Sequence, residues 1–475
     1  MPIKSAALLL LMFGLIYYSY IFHPYSMGYK EILLKQHSTA NDNDFVTDIS
    51  HLLFGLVGSE RECHHRKAYM ESWWRPDEMR GYLFLDKPPT GDDLLPWSSA
   101  SPPYRVSNNI TEFGKEINAS SSSDIIRTGY AIMEVVREYP EGFRWLLIGE
   151  DDTIFFVENI LDVLEKYDDT KLYYFGGNSE LVAKNFNLSF NMGFGGAGYI
   201  FSYPVAKLLA KYMVNYLRTF GRVYSSFDLI LMSCLADFGV TFSPQKGMHQ
   251  IDLRGNISGF LSSHTKDLLM SLHNFDVVEP IFPKLDRFDS TRHLMKAAGV
   301  DQSRLLQQTV CHDRQHNRTF SISWGYSIHI YEKIMPRSWL QMPLETFTTP
   351  VVEEPPVNPN PPHYMFNTRP RPGDNNPCDA PHVFYFDSIE INSDDNDPVV
   401  VSSYGRSGER GLPPCLVDQN GNNSADIVSR IYVYSPPTRR IELDRSECCD
   451  VAQEDEPKNV THLVFRECMP DEIMA

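Results

Sequence analysis

No basic run longer than a few residues interrupts this 475-residue chain, and its 43 Lys and Arg are outnumbered by 61 Asp and Glu, for a net charge of −18. Such a chain has no general attraction for polyphosphate, which excludes nucleic acid as an expected partner. The spacing of a zinc site is also missing, because none of the eight cysteines forms a C-x-x-C pair or a Cys/His set. Neither G-x-S-x-G nor H-E-x-x-H occurs, so a serine hydrolase of that kind and a zincin both lack their motif. Long apolar runs are confined to one place, residues 5–22. Order itself is not lacking: 22% charged and 12% aromatic residues do not describe a disordered chain, and the length allows two or three domains with real cores.

Residues 5–22 read SAALLLLMFGLIYYSYIF, without a charge, after Lys4 and before His23-Pro24. Such a run just suffices to cross a bilayer as a helix of about 18 residues. Tyr17, Tyr18, Tyr20 and Phe22 stand where a cleavage site would need small residues, so an uncleaved signal anchor is expected, with everything after Pro24 in the lumen. The predicted topology is single-pass type II. Seven N-x-S/T sequons follow, at Asn109, Asn118, Asn187, Asn256, Asn317, Asn422 and Asn459, each glycosylated only in a secretory compartment. Cys378, Cys415, Cys448, Cys449 and Cys468 crowd the last hundred residues, with Cys311 upstream; disulfides of undetermined connectivity are the expected reading.

Beyond a stem at 24–45, strand-like and helix-like segments alternate. HLLFGLVGS (51–59), a polar helical stretch to Trp73-Trp74 and GYLFLD (81–86) read as a βαβ opening. Residues 88–123 are Pro-, Ser- and Asn-rich and read as loop. A helix from Asp124 leads into the buried strand 143–149, and further helices are predicted at 158–168, near 204–217 and at 227–238. The expected division is a catalytic domain at 46–290, an extension at 291–348, a Pro-rich linker at 349–373 and a cysteine-containing, β-rich module at 374–475, after a cytoplasmic tip and anchor at 1–23.

Glu150-Asp151-Asp152 follows the strongest apolar strand directly, the edge of an open α/β sheet where ligands collect. Hard carboxylate oxygens there suit Mg²⁺ or Mn²⁺. Elsewhere an acidic triplet is commonly just a solvated loop. The run Gly195-Gly196-Ala197-Gly198 lets backbone approach a ligand closely; read from Gly195, it has neither the G-x-G-x-x-G spacing nor a P-loop lysine. Asp228 falls in the first turn of an amphipathic helix, a place that favours a carboxylate whatever its function. His249, His264 and His273 are further candidate ligands.

Taken in order, RKAYMESWW, RWLLIGEDDT, GGAGYIFS, SLHNFDVVEPIFP and the terminal ECC resemble the plant-type fringe-related family of unknown function, in the class that holds fringe and the β1,3-galactosyltransferases. The resemblance runs from about residue 50 to the C-terminus. It implies a GT-A fold, α/β with a mixed, mostly parallel sheet, a UDP-sugar donor, Mn²⁺ or Mg²⁺, and an inverting transfer forming a β1,3 link to a glycan or glycoprotein acceptor in the Golgi lumen. Residue by residue, it implies Asp152 and His273 as metal ligands and Asp228 as general base. It also places Glu150, Asp151, Arg66, Trp73 and Trp74 on the donor side, with Gly195, Gly196, Ala197 and Gly198 around donor and acceptor, and uridine against the first βαβ unit. Three positions depart from the family's pattern: Glu150 replaces Asp, Phe227 replaces the acid before Asp228, and Asn274 replaces the histidine after His273. These losses motivate an alternative, a catalytically silent lumenal protein that binds a glycan or a partner enzyme.

Overall fold

In the strand Leu52–Val57, alternate side chains serve two cores: Leu52, Phe54 and Leu56 enter one, Leu53 and Val57 the other. That is the period of two expected of a strand covered on both faces. The computed structural model describes residues 46–107, 110–116, 123–264, 267–350, 362–372, 377–392, 398–412, 415, 424–437, 439, 446–452 and 459–473. Asp48–Ala475 forms one compact unit. The expected anchor at residues 5–22 lies outside the described residues, among which no helix is long and apolar enough to cross a membrane.

Seven strands make the first sheet, in the order Tyr104–Val106, Arg80–Leu85, Leu52–Val57, Trp145–Glu150, Tyr199–Ser202, Tyr174–Gly176 and Phe242–Pro244. Pairing is parallel except where Tyr199–Ser202 runs against both of its neighbours, so the sheet is mixed and mostly parallel. The helices Ser123–Glu138, Tyr203–Phe220 and Phe227–Asp237 cover one face. From Leu52–Val57 the chain moves outward through two strands, then returns to place Trp145–Glu150 on its other side. A crevice opens at such a reversal, outside the carboxyl ends of the two strands.

The second sheet has eight strands, from Gln308–Asp313 through Arg318–Ser323, Ser327–Tyr331, His382–Asn392, Val399–Arg406, Arg430–Ser435 and Val460–Arg466 to Cys448–Ala452. Its first and last strands are joined by the disulfide Cys311–Cys449, Cα atoms 5.1 Å apart, so the sheet closes on itself around Phe320, Ile330, Phe384, Ile431 and Leu463. The other disulfides are Cys378–Cys415 and Cys448–Cys468; Cys63 and Cys234 are buried thiols. The extension and the cysteine-containing tail, expected as separate pieces, thus share one sheet, because Ser327–Tyr331 pairs directly with His382–Asn392. The end of the expected linker is also docked: the N–H of Val182 donates to the His363 carbonyl (3.0 Å) and that of Met365 to the Glu180 carbonyl (2.8 Å). Among the sequons, Asn187, Asn317 and Asn459 are exposed and Asn256 is half-buried, whereas Asn109, Asn118 and Asn422 lie outside the described residues.

Candidate active site

Trp145–Glu150 delivers its acidic end into the crevice. Asp151 and Asp152 are buried, at 2% and 1% exposure. Arg66, on the helix Glu60–Glu71, donates from Nη1 to Asp151 Oδ1 (2.8 Å) and from Nε to Asp276 Oδ2 (2.8 Å), while its Nη2 lies 3.4 Å from Asp152 Oδ2. Tyr69 holds Asp276 from the other side, hydroxyl to Oδ1 at 2.9 Å. Burial, and then the neighbouring charge of Asp152, push the Asp151 carboxyl up to about 7. Burial alone would raise Asp152 too, but the charges of His273 and Arg66 hold it below the usual carboxylate range.

His273 Nε2 lies 3.2 Å from Asp152 Oδ1 and 3.5 Å from Glu150 Oε2, and its Nδ1 faces the Gln250 carbonyl at 3.0 Å. Burial would lower its pKa, yet Asp152 and Glu150 carry it well above the ordinary imidazole value. One ligand atom from each of Glu150, Asp152 and His273 falls within 4.8 Å of the others. A second such group among the described residues, Cys448, Cys468 and Glu472, has its two sulfurs joined to each other. Asp151 Oδ2 is buried without a hydrogen-bond donor, and the oxygens of Asp152 have only their ion-pair contacts with His273 and Arg66. Carboxylates crowded in this way repel one another, which a hard cation would offset. The three residues therefore fit a divalent metal with oxygen and imidazole ligands.

The glycine run joins this cluster to Asp228. The Gly195 N–H donates to Asp228 Oδ1 at 3.1 Å. A Cβ on the next residue, Gly196, would come within 2.2 Å of the His273 ring, so only glycine lets the loop lie flat against that histidine. Gly198 turns the chain at φ +89° into Tyr199–Ser202. Counted from Gly193, the glycines do show G-x-G-x-x-G spacing, contrary to the reading from Gly195; they precede a strand and open no helix, which is not the dinucleotide context. Asp228 also accepts from the Tyr199 hydroxyl and from Ser226 Oγ (2.7 Å). Desolvation nevertheless leaves its carboxyl above the usual aspartate value, the Tyr199 and Ser226 hydrogen bonds countering only part of that effect. A base with a raised pKa is a stronger proton acceptor.

Phe227 is 7% exposed and packs beside Tyr199 in the helix-covered core, so this departure from the family pattern fills a core position. Asn274 sits at φ +68°, a backbone conformation asparagine tolerates better than most residues, and its amide donates to the Ile251 carbonyl at 3.3 Å. Trp73 and Trp74 correct the sequence expectation. They pack edge to face against Phe155 and Phe54 in the core rather than along the crevice, and Trp73 Nε1 donates to the Thr153 carbonyl (3.0 Å), bracing the turn after the triplet. His249 and His264 stand Nε2 to Nε2 at 2.9 Å, and His249 Nδ1 lies 3.3 Å from Glu180 Oε1; neither belongs to the group of Glu150, Asp152 and His273. Sequence reasoning missed three residues. Asp276 stood three positions after His273 and could have been noticed; Gln250 and Tyr199 carried no signal.

Two family profiles match the chain: Fringe-like over residues 105–258, and "Protein of unknown function, DUF604" over residues 184–449, more than half of it. No curated protein matches. Among solved structures, the glycosyltransferase GlyE of Streptococcus pneumoniae TIGR4 is similar at 11% identity and a TM-score of 0.25, over 42% of this chain and 46% of that one. This chain thus spans less than half the length of that structure. With a profile matched over more than half its length, the chain belongs to the DUF604 family, a fringe-related, glycosyltransferase-like family.

Proposed function

We propose that this protein is a lumenal glycosyltransferase of GT-A type that moves a sugar from a UDP-sugar to a glycan or glycoprotein hydroxyl, with inversion and a β1,3 link, from a type II anchor in the Golgi membrane. The observation that carries the reading is the cluster at Asp152: a buried carboxylate in ion-pair contact with His273 and Arg66, with Glu150 beside it, one glycine loop away from a buttressed aspartate. Glu150, Asp152 and His273 would hold Mn²⁺ or Mg²⁺. When bound, such an ion supplies neutralising charge for a departing diphosphate. Asp228 takes the proton of the attacking hydroxyl at a carboxylate oxygen, while Tyr199 and Ser226 keep that carboxylate oriented. Gly195 and Gly196 let the loop lie against Asp228 and His273, where a side chain would crowd the first and collide with the second. Arg66 fixes Asp151 against the cluster and, lying on the helix after the first strand, stands on the donor side. Phe227 fills the core and Asn274 supports the Ile251 carbonyl, and both departures leave Asp228 and His273 in place.

Titration calorimetry of UDP with and without Mn²⁺ tests the reading. Wild type is expected to bind UDP in a Mn²⁺-dependent way, and Asp152→Asn, which refills a site of 1% exposure with an isosteric side chain, to lose that dependence while still melting cooperatively. A wild-type protein blind to UDP or to the metal would leave the silent binding protein as the better account.

A further inference from the structure

A groove of about 590 Å³ lies well away from the crevice in sequence and in lining, between the short helix Arg337–Leu340 and residues 369–372. Trp339 stands in its wall at 45% exposure, whereas Trp73, Trp74, Trp145 and Trp324 are all buried. The indole is on a fixed platform. Leu340 and Met335 are buried with Val310 and Tyr331 in a small core of their own, and Gln308 Nε2 donates to the Leu340 carbonyl at 2.8 Å. A large aromatic face, with only two side-chain torsions and on an anchored backbone, loses little entropy on binding and marks a recognition surface.

The charged lining is unbalanced. Lys333, Arg369 and Arg371 face one carboxylate, Asp379, which pairs with Lys333. Arg369 is buried, at 4% exposure, and donates to the Met342 carbonyl (2.9 Å) and the Tyr331 hydroxyl (3.1 Å); Arg371 is exposed and donates to the carbonyls of Glu345 and Thr346, with no carboxylate partner among the described residues. This concentration of positive charge occurs in a chain whose net charge is −18.

We propose that the groove binds an acidic saccharide, one sugar ring stacked by its C–H face on Trp339 and a carboxylate of the same chain drawn to the exposed guanidinium of Arg371. An apolar ligand would leave the cations unused, and a small inorganic anion would leave the indole exposed. A uronic-acid oligomer satisfies both, and arginine matches a carboxylate in planar, two-pronged fashion. The site is independent of whether the crevice transfers sugar.

The test is calorimetric titration of the full-length chain with a galacturonic acid hexamer and, in parallel, the neutral galactose hexamer. The acidic oligomer is expected to bind at least tenfold more tightly than the neutral one. Trp339→Ala should weaken binding at least tenfold with an unchanged melting temperature, Arg371→Gln should weaken binding of the acidic oligomer alone, and Asp152→Asn should bind like wild type. Absence of binding, equal binding of the two oligomers, or wild-type affinity in Trp339→Ala would each overturn the proposal. So would loss of binding in Asp152→Asn, which would move the ligand to the crevice.

Discussion

In the proposed transfer, Asp228 combines two roles that are usually assigned to different residues. Its position after Ser226 at a helix start is what a carboxylate near the helix dipole would occupy for stability alone, at about 0.3–1 kcal/mol. The Gly195 N–H and Tyr199 hydroxyl aimed at Oδ1 have no part in that role. Asp228→Asn is therefore expected to lower glycosyl transfer by roughly 10²–10⁴-fold while leaving UDP and Mn²⁺ affinity nearly intact; wild-type turnover would show the base is elsewhere. The carboxyl acts only when deprotonated, so the rate falls as pH drops through its pKa, which desolvation sets above the ordinary aspartate value. The Tyr199 hydroxyl stabilises the charged form and pulls that pKa down. In Tyr199→Phe this pull is gone, the pKa rises further, and the acid limb of the pH–rate profile should move to higher pH. An unmoved limb would mean that another group titrates there.

The segment from Gln250 to Asp252 works as an element rather than as separate residues. Gln250 offers its carbonyl to His273 and its amide oxygen to the Ala197 N–H at 2.8 Å, so it holds the metal candidate and the glycine loop together. Ile251 follows at φ +48°, a costly conformation for a β-branched residue, secured by Asn274 and by the contacts of Asp252 with Ser179 and Lys184, both 2.6 Å. Gln250→Ala leaves the Ala197 N–H without its partner, at about 1–3 kcal/mol, but keeps the backbone carbonyl that faces His273, so the melting temperature should fall while Mn²⁺ affinity changes little. A large loss of Mn²⁺ affinity would show instead that the glycine loop, freed from Gln250, is what keeps His273 in place. None of this was legible in the sequence, whereas the triplet was, because an apolar strand ending in three acids is a local pattern. Asp276 reaches Arg66 across 210 positions, and no periodicity reports such a contact. The same contrast holds for elements. Leu52–Val57 and Trp145–Glu150 were visible in their apolar runs, but the strand Tyr104–Val106 and helix Ile110–Glu116 were hidden in the Pro- and Ser-rich stretch read as loop, too short to show a period. Trp73 and Trp74 were legible as large side chains and not as core, since burial depends on what folds over them.

On the scale of the molecule, the closed second sheet depends on contacts that tie its tail to its beginning. Cys311–Cys449 encloses 138 positions, and a crosslink of that span restricts the unfolded chain by about 4–5 kcal/mol on the loop-entropy account. Cys311→Ser/Cys449→Ser should therefore melt markedly lower than wild type, with the reducing agent no longer affecting that bond. Glu332 makes a second, pH-sensitive tie. It is buried just beyond Ser327–Tyr331 and accepts from the backbone N–H groups of Cys415 (2.9 Å) and Ala425 (2.7 Å) and from Ser424 Oγ (2.8 Å), with His382 Nε2 and Arg410 Nη2 each at 3.3 Å. Burial by itself would raise the carboxyl, but His382 and these donors outweigh it and hold the group well below the usual range. A carboxyl whose pKa is lower folded than unfolded contributes its full stability above the unfolded value of about 4.3 and loses it as pH falls toward the folded value. Glu332→Gln keeps the shape, puts an N–H₂ where an acceptor is needed, and should cost roughly 1.5–3 kcal/mol at neutral pH. Thermal melting at pH 7, 5 and 3 decides the matter: the gap between wild type and variant should be constant from pH 7 to 5 and narrow by pH 3. A gap that stays constant to pH 3 would show that the carboxylate's charge is not what secures the tail.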